Sequence, residues 1–198
     1  MSHGHVHQSS AGAANRVKSL IAALEAANVL TEARLDAAVE SFLRHAQPAN
    51  GARVVAHAWV DAAFRERLLA DGNAAVAELG FDLSHWAPVK LRVVANEPRR
   101  HNMIVCTLCS CYPLALLGPA PTWYKSDAYR SRAVRDPRSV LAEFGTHLAD
   151  DVEITVWDST AEVRYMVLPQ RPAGTGGASE DELRALVTRN GLIGTALV

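Results

Sequence analysis

All three cysteines of this chain fall within one six-residue run, Cys106-Thr107-Leu108-Cys109-Ser110-Cys111. That placement argues against a disulfide framework, because a structural disulfide usually joins distant segments and an odd count leaves one thiol over. The fold must therefore be held by a hydrophobic core. With 198 residues and 49% hydrophobic content, the chain can fill the core of one substantial domain and still carry an extended arm. The clustered thiols point to metal or redox chemistry.

Charge narrows the partners. Lysine and arginine number 20 against 21 acidic residues, a formal net charge of -1, so no basic field is available for nucleic acid or an anionic membrane surface. The apolar runs are cut by charge or proline short of the ~20 residues that cross a bilayer, and the N-terminus has no hydrophobic signal core. A cytoplasmic protein with neither nucleic-acid nor membrane partner is expected.

Residues 1–12 show no apolar periodicity and read as a mobile tail. His3, His5 and His7 at alternate positions there are either solvated or able to capture a divalent ion transiently. From Asn15 the pattern becomes helical, with Val17, Leu20, Ile21 and Leu24 on one face. A second helix is expected after Thr31, with Leu35, Val39, Phe42 and Leu43 continuing the stripe until Pro48 forbids extension. Residues 13–50 thus form a helical arm whose apolar stripe needs something to pack on, a partner subunit being one candidate.

The stretch 53–79 is again helical, interrupted at Asp71-Gly72-Asn73. The period then changes to two, with strands expected over 91–94, 103–105, 152–157 and 163–168. Asp136 and Pro137 open another helix that Gly145 ends, and Ser179 with Glu182 makes a capping box for a C-terminal helix stopping near Gly191. The expected fold is α+β: a layered helix, sheet, helix metal-binding domain over 51–198 with an N-terminal helical arm.

The cysteine run follows the apolar Met103-Ile104-Val105 and precedes Tyr112-Pro113, so it is a tight loop leaving a strand end, a common place for a site. Three readings compete. The thiols are simply buried, or they hold zinc or an iron-sulfur cluster with a fourth ligand such as His101 if the loop folds back, the basis of a noncatalytic zinc-binding interaction module. In the third, the thiolates close on one ion without a distant ligand. The short link from Cys109 to Cys111 brings the backbone amides of Ser110 and Cys111 into reach. Five donors then come from one loop, and a sixth position stays open, as a catalytic metal requires.

The stretch Val105-Cys106-Thr107-Leu108-Cys109-Ser110-Cys111, with Tyr112-Pro113, Trp123-Tyr124-Lys125-Ser126, Tyr129-Arg130, Asp136-Pro137-Arg138, Trp157-Asp158-Ser159-Thr160-Ala161-Glu162 and Arg171-Pro172-Ala173-Gly174-Thr175, resembles the α subunit of nitrile hydratase. The resemblance covers roughly residues 14–198. It implies hydration of a nitrile to an amide at a low-spin Co(III) ion, with Fe(III) the less favoured alternative, since Thr107 after the first cysteine marks the cobalt type. It further implies that Cys106 is the axial thiolate, that Cys109 becomes a sulfinate and Cys111 a sulfenate, and that Ser110 and Cys111 supply amide ligands. The nucleophile implied is the sulfenate oxygen of Cys111 or a water, with the Ser110 hydroxyl orienting it. Activity then requires a β-type subunit, or two smaller chains replacing it, with Arg164 as a contact toward that partner. The isolated chain is expected to self-associate.

The metal subunit of thiocyanate hydrolase is the nearest enzymatic alternative, because it has the same motif. One departure bears on substrate. Where most members have Pro-Trp-Pro after the third cysteine, this chain has Pro113-Leu114-Ala115, and an upstream glutamine corresponds to Ala87. Both changes remove volume, so the resemblance implies a pocket wide enough for a bulky heteroaromatic nitrile, as in the toyocamycin branch of the family.

Overall fold

The computed structural model describes residues 6–81, 83, 89–108 and 111–198, with side chains described from residue 12 onward. The chain divides into two compact units, one ending at His45 and one spanning Ala46–Val198.

The first unit holds α1 (Val6–Ala26) and α2 (Glu32–His45). Helix α1 begins inside the stretch 1–12 that was expected to be a tail and runs on through Ala13 and Ala14, which supply strong helix propensity without a hydrophobic stripe. Just past its end Asn28 turns the chain with a φ of 54°, a left-handed conformation that asparagine tolerates. Thr31 caps α2 as expected, its Oγ accepting from the Arg34 amide at 3.2 Å. No residue of α2 is buried, and Val17, Leu20, Val39 and Leu43 are exposed.

The second unit starts earlier than residue 51 because Ala46 is buried and Asn50 Nδ2 donates to the Ala115 carbonyl at 2.8 Å. Pro48 opens α3 (Pro48–Val60), followed by α4 (Ala62–Ala70) and α5 (Gly72–Glu78). The break at Asp71 was expected; the one at Asp61 was not. Both aspartates cap the next helix, accepting from Phe64 N at 2.9 Å and Ala74 N at 3.2 Å. In an alanine-rich pattern Asp61 passes for an ordinary solvent-facing charge. Gly51 lets α3 lie against α6 (Leu114–Leu117): a Cβ there would stand 2.8 Å from the Leu116 carbonyl oxygen.

Four strands form where the period of two placed them: β1 (Lys90–Ala95), β2 (Arg100–Val105), β3 (Glu153–Asp158) and β4 (Val163–Leu168). They pair as two parallel couples, β1 with β4 and β2 with β3. The chain reverses tightly between β1 and β2 through the Glu97–Arg100 bridge, yet each of these strands pairs with one from the other end of the domain. Parallel strands are covered on both faces and need a continuous apolar run. Met103, Ile104 and Val105 provide it and are fully buried with Leu68, Leu168 and Ile193.

A 3-10 turn (Trp123–Lys125), α7 (Asp127–Arg135) and α8 (Pro137–Glu143) lie between β2 and β3. Helix α8 has the expected cap, Asp136 accepting from Ser139 N at 3.2 Å. Helix α7 has only Tyr129 and Ala133 buried, too little for a periodic signal. At the C-terminus the capping box of Ser179 and Glu182 is present on α9 (Glu180–Leu186), and Thr188 caps a separate α10 (Arg189–Ile193). No helix among the described residues is long and apolar enough to cross a membrane.

Buried polar groups tie the pieces together. Asn102 Nδ2 donates to the Ala95 carbonyl at 2.7 Å while its Oδ1 accepts from Trp157 Nε1 at 2.8 Å. His101, also buried, has Nε2 2.7 Å from the Gly194 carbonyl oxygen and Nδ1 3.2 Å from Asn96 Nδ2. A neutral ring satisfies both contacts, donating at Nε2 and accepting at Nδ1. Burial holds its pKa below the usual imidazole value, against the smaller opposing effect of the Gly194 carbonyl. An unfolded chain takes up this proton near pH 6.5, so the stability this ring contributes is complete above that pH and is lost as pH falls through the folded value. Urea unfolding at pH 7.5 and 5.5 should show a loss in the wild type that is smaller in His101→Gln. Equal losses in the two proteins would remove His101 from the account.

Candidate metal centre

The end of β2 delivers Cys106, fully buried, and Cys111 follows half-buried before α6. Cys109, Ser110 and the pocket candidate Ala87 lie outside the described residues, as do His3 and His5. Among the described residues no three His, Cys, Asp or Glu side chains gather as a metal site.

What surrounds the loop is well defined. The Ser159 amide donates to the Val105 carbonyl at 2.8 Å, extending the β2–β3 ladder by one bond. Asp158 then takes both donors of the next loop residue: Thr107 N reaches Oδ1 at 2.9 Å and Thr107 Oγ1 reaches Oδ2 at 2.5 Å. From α7, Arg130 Nη2 donates to the carbonyls of Thr107 at 2.8 Å and Leu108 at 3.3 Å. Tyr129 OH donates to the Ile104 carbonyl at 2.7 Å, and Tyr124 OH to the Cys111 carbonyl at 3.1 Å. Burial pushes both phenols well above their ordinary pKa, so they stay protonated donors throughout the working range of pH. Tyr112, Trp123, Tyr124, Tyr129 and Phe144 meet edge-on or tilted with centroids 4.6–6.3 Å apart, a stiff platform under the loop.

The loop is therefore fastened on both sides of the thiols by groups from β3, α7 and the 3-10 turn. Asp158, Arg130 and Tyr124 are the residues that sequence reasoning did not assign. Nothing in spacing points to them, since their separations from the loop residues they hold run from 13 to 51 positions. Only their presence in the motif stretches marked them.

His101 sits at the opposite end of β2 from Cys106, five residues away at about 3.3 Å each, and both of its nitrogens are engaged. It does not serve as a fourth ligand, which removes the version of the zinc reading that relied on it. Leu114 opens α6 three positions after Cys111 and is 41% exposed. Arg164 lies in β4 and donates to the Thr160 carbonyl within its own turn.

The donor set fits a soft transition metal, because a thiolate-rich loop selects such ions. Arg130, whose Nη2 reaches the loop carbonyls, keeps a buried Nε donor without an acceptor among the described residues.

The family profile described as nitrile hydratase, alpha chain, matches residues 11–196. The chain belongs to the nitrile hydratase α-chain family. It is 47% identical over 194 residues to the low-molecular weight cobalt-containing nitrile hydratase subunit alpha of Rhodococcus rhodochrous, covering 98% of this chain and 93% of that protein. A solved structure of a double mutant of the Fe-type nitrile hydratase from Comamonas testosteroni Ni1 superposes with a TM-score of 0.87 at 41% identity, covering 94% of this chain and 90% of that one. Thiocyanate hydrolase subunit gamma of Thiobacillus thioparus is 45% identical over 159 residues, 76% of this chain and 65% of that protein. The nitrile hydratase relationship thus runs the length of both chains, and the mixed helix and strand fold is common to the solved neighbours.

Proposed function

We propose that this chain is the metal-bearing α subunit of a cobalt-type nitrile hydratase, converting a nitrile to its amide in a complex with a β-type subunit or two smaller chains. The observation that carries the reading is the thiol loop with Thr107 after the first cysteine, in a chain whose near-full-length relative is a cobalt-containing nitrile hydratase subunit. Cys106, Cys109 and Cys111 would hold the ion with the amides of Ser110 and Cys111. Bound there, Co(III) supplies Lewis acidity, which polarises a nitrile and acidifies water. Cys109 as sulfinate and Cys111 as sulfenate are stable functional states on the sulfur oxidation ladder. The sulfenate oxygen of Cys111 is one candidate nucleophile and water the other, and the Ser110 hydroxyl orients whichever attacks. Asp158 and Arg130 hold the loop in place while charge shifts onto the substrate nitrogen. We assign the complex to the cytoplasm.

The partner requirement follows from the apolar stripe of α1 and α2, exposed at Val17, Leu20, Val39 and Leu43, and from oxidised thiolates whose oxygens need cationic partners; Arg164 is our candidate contact on this side. Coexpression with a β-type chain and cobalt should yield one cobalt per α chain, a visible absorption band from the low-spin centre, and nitrile hydration. Full turnover by the purified chain alone would remove the partner requirement, and a colourless zinc protein would remove the reading altogether. Thiocyanate hydrolysis is the second reading. It is favoured by the gamma-subunit relative and by solved thiocyanate hydrolase chains that match 99–100% of this chain at a lower identity of 38%, and thiocyanate consumption without amide production would establish it.

Leu114 bears on substrate. With leucine in place of tryptophan at the mouth of the loop and Ala87 upstream, we expect a bulky heteroaromatic nitrile to be accepted. Leu114→Trp should lower kcat/KM for a nucleoside nitrile relative to acrylonitrile by about tenfold or more, the scale of a steric clash of about 1–3 kcal/mol. An unchanged ratio would show that the partner subunit fills this space.

A further inference from the structure

We infer that Arg130 is a positioning residue that sets the turn between the first and second thiols, an inference that rests on the cobalt reading above. In an extended strand successive carbonyls point to opposite sides. Here two successive carbonyls, those of Thr107 and Leu108, converge on one nitrogen, Nη2 of Arg130, at 2.8 and 3.3 Å. A donor that gathers both forces the chain out of strand geometry directly after Cys106. Packing does not do this work, because the Leu108 side chain is 83% exposed. The guanidinium itself is held in place. Its Nη1 donates to Asp127 Oδ1 at 3.2 Å, and the neighbouring Tyr129 anchors α7 to β2 through the Ile104 carbonyl at 2.7 Å. Asp158 fastens the same turn from the β3 side through the Thr107 amide and hydroxyl. The loop residue after Cys106 is thus gripped on its donors by an anion and on its acceptor by a cation, which leaves the turn one shape before any metal arrives. Lysine would keep the charge but not the planar fork that reaches Asp127 and both carbonyls together.

The test compares Arg130→Gln and Arg130→Lys with Arg132→Gln, which removes a cation from the same helix that pairs with Glu143 instead. In the metal-free complex with its β-type partner, hydrogen exchange of the peptide containing Thr107 and Leu108 is followed by mass spectrometry. In the cobalt-loaded complex, release of cobalt to a chelator is timed and the visible band recorded. Exchange and release should both be about tenfold or more faster in Arg130→Gln, the scale of one lost hydrogen bond to a charged group, with far-UV circular dichroism unchanged. Arg130→Lys should fall between, and Arg132→Gln should match the wild type. Wild-type exchange and release in Arg130→Gln would overturn the assignment, as would an equal acceleration in Arg132→Gln. If Arg130→Gln fails to fold, Arg130→Lys decides by the same two rates. A wild-type complex that holds no cobalt would sink the cobalt reading, while the exchange comparison would still judge Arg130.

Discussion

Serine at Cys106, Cys109 or Cys111 is expected to cost the complex its cobalt and with it nitrile hydration. In the proposed centre each thiol is one of three soft donors to a single ion, and an alcohol neither deprotonates readily nor matches the softness of the metal. Loss of an outer-shell partner already weakens metal binding by about 10–100-fold, so loss of a direct thiolate should exceed about 100-fold and leave no visible band. Metal analysis and absorption spectra of the coexpressed complexes check this, with circular dichroism showing that the fold persists. Cys106→Ser with full cobalt and full activity would defeat the role proposed for Cys106.

The largest effect on stability is expected from Gly194→Ala. Gly194 ends α10 with a φ of 86°, and a Cβ there would collide with the Asn102 carbonyl oxygen and stand 2.9 Å from Met103 Cα. Both contacts are backbone of β2, buried in the middle of the core, and cannot swing aside. The Gly194 carbonyl is also the acceptor for His101, so relief of the clash comes at the expense of that bond. Left-handed strain costs about 1 kcal/mol or more and overpacking a further 1–3 kcal/mol. A total of about 4 kcal/mol should lower Tm by about 10 °C in a chain of this size. Gly145→Ala is the control: its φ of 79° is similar but nothing lies within 4 Å of its Cβ, so about 1 kcal/mol is expected. Equal shifts in the two variants would show that conformational strain alone accounts for the effect.

Much of this architecture was legible because local signals and tertiary structure agree. The four strands carry β-rich runs bounded by turn residues, and Thr31, Asp136 and Ser179 occupy the caps their side chains favour. Asp61 was missed because an aspartate within an alanine-rich run has no apolar break to announce it. Helix α7 was missed because its buried face is only Tyr129 and Ala133. Strand pairing was beyond reach: a period of two says which residues share a face, not which strand lies alongside, and the tight reversals favour the hairpin pairing that the protein does not adopt. At the site, the thiols declared themselves by crowding. The residues that fasten the loop did not, because a hydrogen bond between Thr107 and Asp158 leaves no trace in spacing.

The pairing of β2 with β3 has a consequence for the order of events during synthesis. The strand that presents Cys106 has no ladder partner until Glu153–Asp158 has been made, and β1 has none until Val163–Leu168 has been made. Such distant pairings must close a long loop before any contact repays it. At about 5–20 residues per second, the three thiols leave the ribosome seconds ahead of the strand that completes their setting. During that interval the nascent chain carries an uncommitted chelator, open to whichever soft ion or oxidant meets it first. Under the proposed function, a metal centre with its full setting can therefore form only after the chain is nearly complete.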